Sequence, residues 1–94
     1  MSLTFEWDPR KAKRNLTKHK ISFEEASTVF SDVRSITIHD PLHSEAEDRF
    51  VDIGLSAKLR ILVVSYTERE DRIRIINARV ATPTERKTYE EKHT

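Results

Sequence analysis

The stretch RFVDIGLSAKLRILVVSYTEREDRIRIINARV, Arg49 to Val80, decides the fold. It contains three runs rich in Val and Ile, Arg49–Ser56, Arg60–Thr67 and Arg72–Val80, and runs of this kind bounded by polar residues read as β-strands. The joins, residues 57–59 and 68–71, are far too short for a crossover helix, so consecutive strands run antiparallel. Ser35–Asp40, upstream, alternates as a further strand. The expectation is a four-stranded antiparallel meander.

Helices flank it on both sides. Asp8-Pro9 opens the first: a carboxylate able to cap free amides, then proline at the first helical position. Over Pro9 to about Lys20 the helical period places Ala12, Asn15, Leu16 and His19 on one face and Lys11, Arg14 and Lys18 on another, which turns His19 inward. Ser22 starts a second helix, with Glu25 completing a capping box and Phe23, Ala26, Val29 and Phe30 as the apolar stripe, ending near Asp32. Thr82-Pro83-Thr84-Glu85 is another capping box and begins a terminal helix through Tyr89. The fold class is therefore α+β, in the order ααββββα, as one domain over residues 1–94.

Bulk properties exclude several classes of function. At 94 residues there is room for one small core, and 36% hydrophobic against 35% charged residues describes that core inside a highly charged shell. The longest apolar run, Ile61–Val64, is far short of the roughly 20 residues that span a bilayer, and no signal-peptide core follows the N-terminus. Absence of cysteine removes disulfides, thiol nucleophiles and thiolate metal sites, and fits a cytoplasmic protein. The formal net charge is only +1, so the distribution of charge matters more than its sum. Arginine supplies more than half of the 17 cations and sits inside or beside the strands.

In a meander the start of the third strand lies beside the end of the fourth, so Arg60 and Arg79 are expected to meet at one end of the sheet. The terminal helix begins there too, and its free amides with two guanidiniums make a seat for an anion such as phosphate. The competing reading pairs one or both arginines with acidic residues, so that they merely trim a strand end. Arg72 and Arg74 alternate with Ile73 and Ile75 and form either a solvated face or a track for a nucleic-acid backbone. The opposite end of the sheet gathers Arg49, the turn Glu68–Arg72 and the loop HDPLHSEAEDR, His39 to Arg49. His39 and His43 are four apart, but Asp40-Pro41 breaks any helix between them, and Ser44 beside His43 is no catalytic triad. The loop is read as polar and metal-free, with Glu47 and Arg49 the positions closest to the next strand.

Taken together and in order, WDPRKAKRNLTKH (Trp7–His19), SFEEA (Ser22–Ala26), EDRFVDIGLS (Glu47–Ser56), RILVVSYTER (Arg60–Arg69), IRIINAR (Ile73–Arg79) and ERKTYE (Glu85–Glu90) resemble the BrnT-type toxins of bacterial type II toxin–antitoxin systems, ribonucleases with a RelE-like fold. The chain departs from the usual pattern at Lys20 and Leu59, where the family commonly has glycine, and at Asn77, where serine is more usual.

The resemblance implies RNA cleavage that stops translation, no cofactor, and neutralisation by a BrnA-type antitoxin in a hetero-oligomer. Chemistry compatible with it needs neither a metal nor a protein nucleophile, because the RNA's own 2′-OH can attack the adjacent phosphorus when deprotonated and held in line. Arg60 and Arg79 would stabilise the phosphorane, and Arg49, from the opposite end of the sheet, is also counted in the catalytic set. Lys18 and Glu47 rank ahead of His19 as the base. Arg14, Arg72, Arg74 and His19 would bind RNA, and Trp7 and Tyr89 either stack on bases or anchor the core. The alternative is a module that uses the same arginine-bearing sheet to bind a nucleic acid or an acidic protein without cutting it.

Overall fold

The computed structural model describes residues 3–43 and 47–92. Its elements are β1 (Thr4–Glu6), α1 (Pro9–His19), α2 (Phe23–Thr28), β2 (Ile36–Asp40), β3 (Arg49–Leu55), β4 (Ile61–Arg69), β5 (Arg72–Val80) and α3 (Pro83–Glu91). Short 3₁₀ turns follow α2 at Val29–Ser31 and β2 at Pro41–His43. The α+β class is as expected, but the sheet has five strands in the order β1-β5-β4-β3-β2. The four expected strands pair antiparallel in sequence order. The correction is β1, which lies parallel to β5 with Thr4, Phe5 and Glu6 opposite Arg72, Ile73 and Arg74. Three residues are too few to show a strand period, and their partner lies at the other end of the chain.

The sheet has two unequal faces. Leu62, Val64, Tyr66, Ile75 and Ala78 turn one face toward Ile21, Phe23, Ala26 and Val29, and this is the main core beneath α1 and α2. Phe23 is fully buried, and truncating such a side chain costs about 3–5 kcal/mol. Ile53 and Val63 point the other way and form a smaller cluster with Ile36, Ala81 and Tyr89 of α3. Helix α3 covers only that end of its face, and farther along it lie Ser65, Thr67 and Arg49 together with Ile38 and Val51.

Local chemistry explains the element ends. Asp8 accepts from the Arg10 amide at 2.8 Å, and Thr82 and Glu85 complete both halves of a capping box at α3. At α2 only half of the expected box forms: Ser22 accepts from the Glu25 amide, but the Glu25 carboxylate turns away to Ser56 and Arg60. Lys20 ends α1 in the left-handed conformation, φ 62°, and Leu59 takes the same conformation in the β3–β4 turn. Gly54 is required for close approach, since a Cβ there would lie 2.8 Å from Val29 Cγ1 and 3.0 Å from the Ser35 Cβ. Asn15 of α1 continues the sheet edge where β1 stops. Its side-chain amide donates to the Ala78 carbonyl at 2.8 Å and accepts from the Ala78 amide at 3.1 Å, standing in for a neighbouring strand.

Candidate nucleic-acid interface

The path of β5 determines which side chains share a face. Ser65 pairs with Asn77 but Tyr66 pairs with Ile75, so Ile76 is an extra residue that bulges out of the ladder. Arg74 is opposite Thr67 and Arg79 is opposite Val63, and four residues separate those partners on β4. Arg74 and Arg79 therefore lie on the same face, the one partly covered by α3.

Two cavities on this side share a wall. The larger, about 400 Å³, is lined by Lys11, Leu42, His43, Glu47, Arg49, Thr67, Arg69, Arg74 and Ile76. The smaller, about 220 Å³, is lined by Lys11, Arg14, Asn15, Lys18, His19, Ile76 and Asn77. Lys11 and Ile76 border both, so they form one groove running between α1 and the sheet. A third hollow on the same face takes in Ser65, Val63, Arg79 and Glu85. Helical spacing of Lys11, Arg14 and Lys18 puts three cations along one bank.

Carboxylates engage many of the arginines. Glu85 grips Arg79 with two bonds of 2.7 and 2.9 Å while also accepting from the Thr82 amide, and the guanidinium pushes its pKa down to about 2. The chain's own carboxylate thus occupies the expected anion seat at the start of α3. Glu6 reaches Arg72 at 3.3 Å and Arg74 at 2.8 Å, and Glu47 holds Arg69 at 2.7 and 2.9 Å. The bond from Arg69 keeps Glu47 below the ordinary carboxylate range, ionised and weakly basic.

Arg60 does not meet Arg79, contrary to expectation. Both stand at the same end of the sheet, but Arg60 turns toward α2, where it binds the Glu25 carboxylate through Nε at 2.9 Å and through Nη2, whereas Arg79 turns toward α3. Strand parity is the reason: Leu62 and Val63 face opposite sides, and Arg60 follows Leu62 while Arg79 pairs with Val63. His19 also differs from expectation. It is half-buried on the groove wall beside Lys18 and Arg14 rather than in the core.

Trp7 packs edge-on against Phe23 with centroids 5.9 Å apart, the anchoring role. The Tyr89 hydroxyl donates to Asp32 at 2.6 Å and ties α3 to the turn after α2, and burial pushes its pKa up to about 12. His39 contacts Asp48 and His43 contacts Asp40, while Ser44 and its neighbours 45–46 lie outside the described residues. Among the described residues no three of His, Cys, Asp and Glu are placed to hold a metal ion, and no helix is long and apolar enough to cross a membrane. Thr67 and Glu6 escaped the sequence reading. Their only signal was register, Thr67 opposite Arg49 and Glu6 opposite Arg74, which exists only once the strands are paired.

A small α+β protein with a cation-lined groove beside a five-stranded sheet fits the class of compact proteins that handle nucleic acid. Residues 7–85 match the family model described as the ribonuclease toxin, BrnT, of type II toxin–antitoxin systems, and the chain belongs to that family. The crystal structure of the Brucella abortus ribonuclease toxin, BrnT, superposes with a TM-score of 0.63 at 23% identity, over 86% of this chain and 99% of that one. No curated protein matches the sequence.

Proposed function

We propose that the chain is a metal-independent endoribonuclease toxin that cuts RNA in the cytoplasm and so inhibits translation. The observation that carries this reading is the smaller cavity, which brings His19, Lys18 and Arg14 together beside Asn77 in a groove open to a chain-like ligand. His19 takes the proton from the 2′-OH, which attacks the adjacent phosphorus; the P–O5′ bond breaks, leaving a 2′,3′-cyclic phosphate, and Lys18 returns a proton to the departing 5′-oxygen. Arg14 and Arg79 stabilise the charge on the phosphorane, Arg79 by exchanging Glu85 for phosphate oxygens. Arg49, Arg72 and Arg74 hold the RNA along the sheet. Glu47 is set aside as the base because Arg69 depresses its basicity, and Arg60 as a stabiliser of the phosphorane because it turns to the other face of the sheet, onto the buried Glu25.

A BrnA-type antitoxin is the expected partner. It would cover part of the groove and bring two copies of the chain together, and a complex that cuts RNA at the full rate with Arg79 exposed would exclude this arrangement. The carboxylates on Arg74 and Arg79 favour a second reading, a module that binds without cutting.

Cleavage of naked RNA in excess chelator, by the natural chain and by His19→Ala and Arg79→Ala, separates the readings. A catalytic role predicts a loss of about 10²–10³ in rate for each variant with modest loss of binding. Equal cleavage by all three would overturn the assignment, and binding without cleavage by the natural chain would favour the module.

A further inference from the structure

Thr67 is out of place for a β-strand core. It is only 5% exposed, yet its hydroxyl has no hydrogen-bond partner among the described residues. A hydroxyl buried in this way costs free energy that a valine of the same shape would not, and such groups are rare in native proteins. Thr67 also lines the larger cavity with Lys11, Arg49, Arg69 and Arg74, and among the described residues only Glu47 and Glu6 offset the charge of Arg69 and Arg74 there. The cavity's positive balance and its unused donor suit the same class of ligand, an anion with oxygen acceptors. Its volume of about 400 Å³ is enough for more than a bare ion.

We propose that this cavity seats a phosphodiester of the RNA next to the one being cut, with the Thr67 hydroxyl donating to a non-bridging oxygen and Lys11 and Arg49 supplying the charge. The inference rests on the ribonuclease reading for its direction: Lys11 and Ile76 join this cavity to the one holding His19, so a strand with its scissile phosphate there passes its neighbour here. Thr67 is a positioning residue. It fixes the register of the strand and takes no part in proton transfer.

The test uses a short 2′-deoxy oligonucleotide, which lacks the attacking hydroxyl, so that binding is read apart from cleavage. Affinity and melting temperature are measured for the natural chain, Thr67→Val and Thr67→Ser. Thr67→Val is expected to bind about tenfold more weakly or worse, with a melting temperature equal or higher, because a charge-assisted hydrogen bond is lost while an unsatisfied hydroxyl is removed. Thr67→Ser retains the hydroxyl and is expected to bind close to the natural chain. Millimolar inorganic phosphate should displace the oligonucleotide from the natural chain; phosphate that binds at Thr67 without displacing it overturns the assignment to the RNA backbone. Equal affinity of all three proteins also overturns the proposal, even if RNA is cut. Thr67-dependent binding of the oligonucleotide with no cleavage of the matching RNA would leave the seat standing and remove the ribonuclease reading.

Discussion

Arg74 and Arg79 lie on the same face of the sheet although an odd number of residues separates them. On an unbroken strand, successive side chains alternate, and Arg79 would join Ile73 and Ile75 in the core. The extra residue at Ile76 shifts the phase once and keeps both guanidiniums on the α3 side. The same shift brings Ile76 and Asn77 to the wall of the groove beside His19. A single irregularity in the ladder thus assembles the candidate site.

Arg60 is predicted to act on stability rather than chemistry. The Glu25 side chain is only 2% exposed and depends on Arg60 and Ser56 for its hydrogen bonds, so removing the guanidinium leaves a buried charge without compensation. Arg60→Met should lower the melting temperature by about 5–10 °C, and adding Glu25→Gln should restore part of the loss. Cleavage per folded molecule should be unchanged, which thermal melts and active-fraction assays would check together.

Glu85→Gln separates the helix cap from the anion seat. Glutamine still suits the third position of a capping box, so α3 keeps its start, but Arg79 loses its counter-charge. RNA affinity should rise several-fold at low salt. The folded-state pKa of Glu85 lies below its unfolded value, so its contribution is complete above the unfolded pKa of about 4.5 and disappears as pH falls toward about 2. At pH 7 the variant should be less stable by about 1 kcal/mol, a figure reduced for the partial exposure of the pair. The deficit should vanish near pH 2.

Asp52 carries the opposite sign. Burial raises its pKa above the ordinary value, even though the Tyr66 hydroxyl donates to it at 2.9 Å. A raised folded-state pKa gives stability that is complete below the unfolded value, near 4, and is lost as pH rises through the folded value. Asp52→Asn keeps an acceptor for Tyr66 without the buried charge. It should stabilise the chain by about 1 kcal/mol at pH 7 and give no gain at pH 3, as denaturant unfolding at the two pH values would show.

Lys20 and Leu59 both hold φ at 62°, a conformation that costs side chains with a Cβ about 1 kcal/mol relative to glycine. Lys20→Gly and Leu59→Gly should each stabilise the chain by about 0.5–1 kcal/mol by urea denaturation. Leu59 is 78% exposed, so little buried contact is lost with its side chain. The hairpin and the helix end form without glycine because the Leu59 amide reaches the Ser56 carbonyl at 2.9 Å and the Lys20 amide reaches the Leu16 carbonyl at 3.0 Å.

The sequence by itself determined the three helices, the four antiparallel strands and most of the caps, because each follows from side-chain periods and turn residues within a dozen positions. It also placed Arg14 and Lys18 on one helical bank and put Arg49 and the Glu68–Arg72 turn at one end of the sheet. Only the tertiary structure decided which cations meet. Strand β1, the bulge at Ile76, the Asn15 amide on the edge of β5 and the carboxylates facing Arg60, Arg74 and Arg79 all join residues distant in the chain. Period and propensity are local properties, whereas face and partner depend on strand phase, and one extra residue in a ladder reverses phase without changing composition.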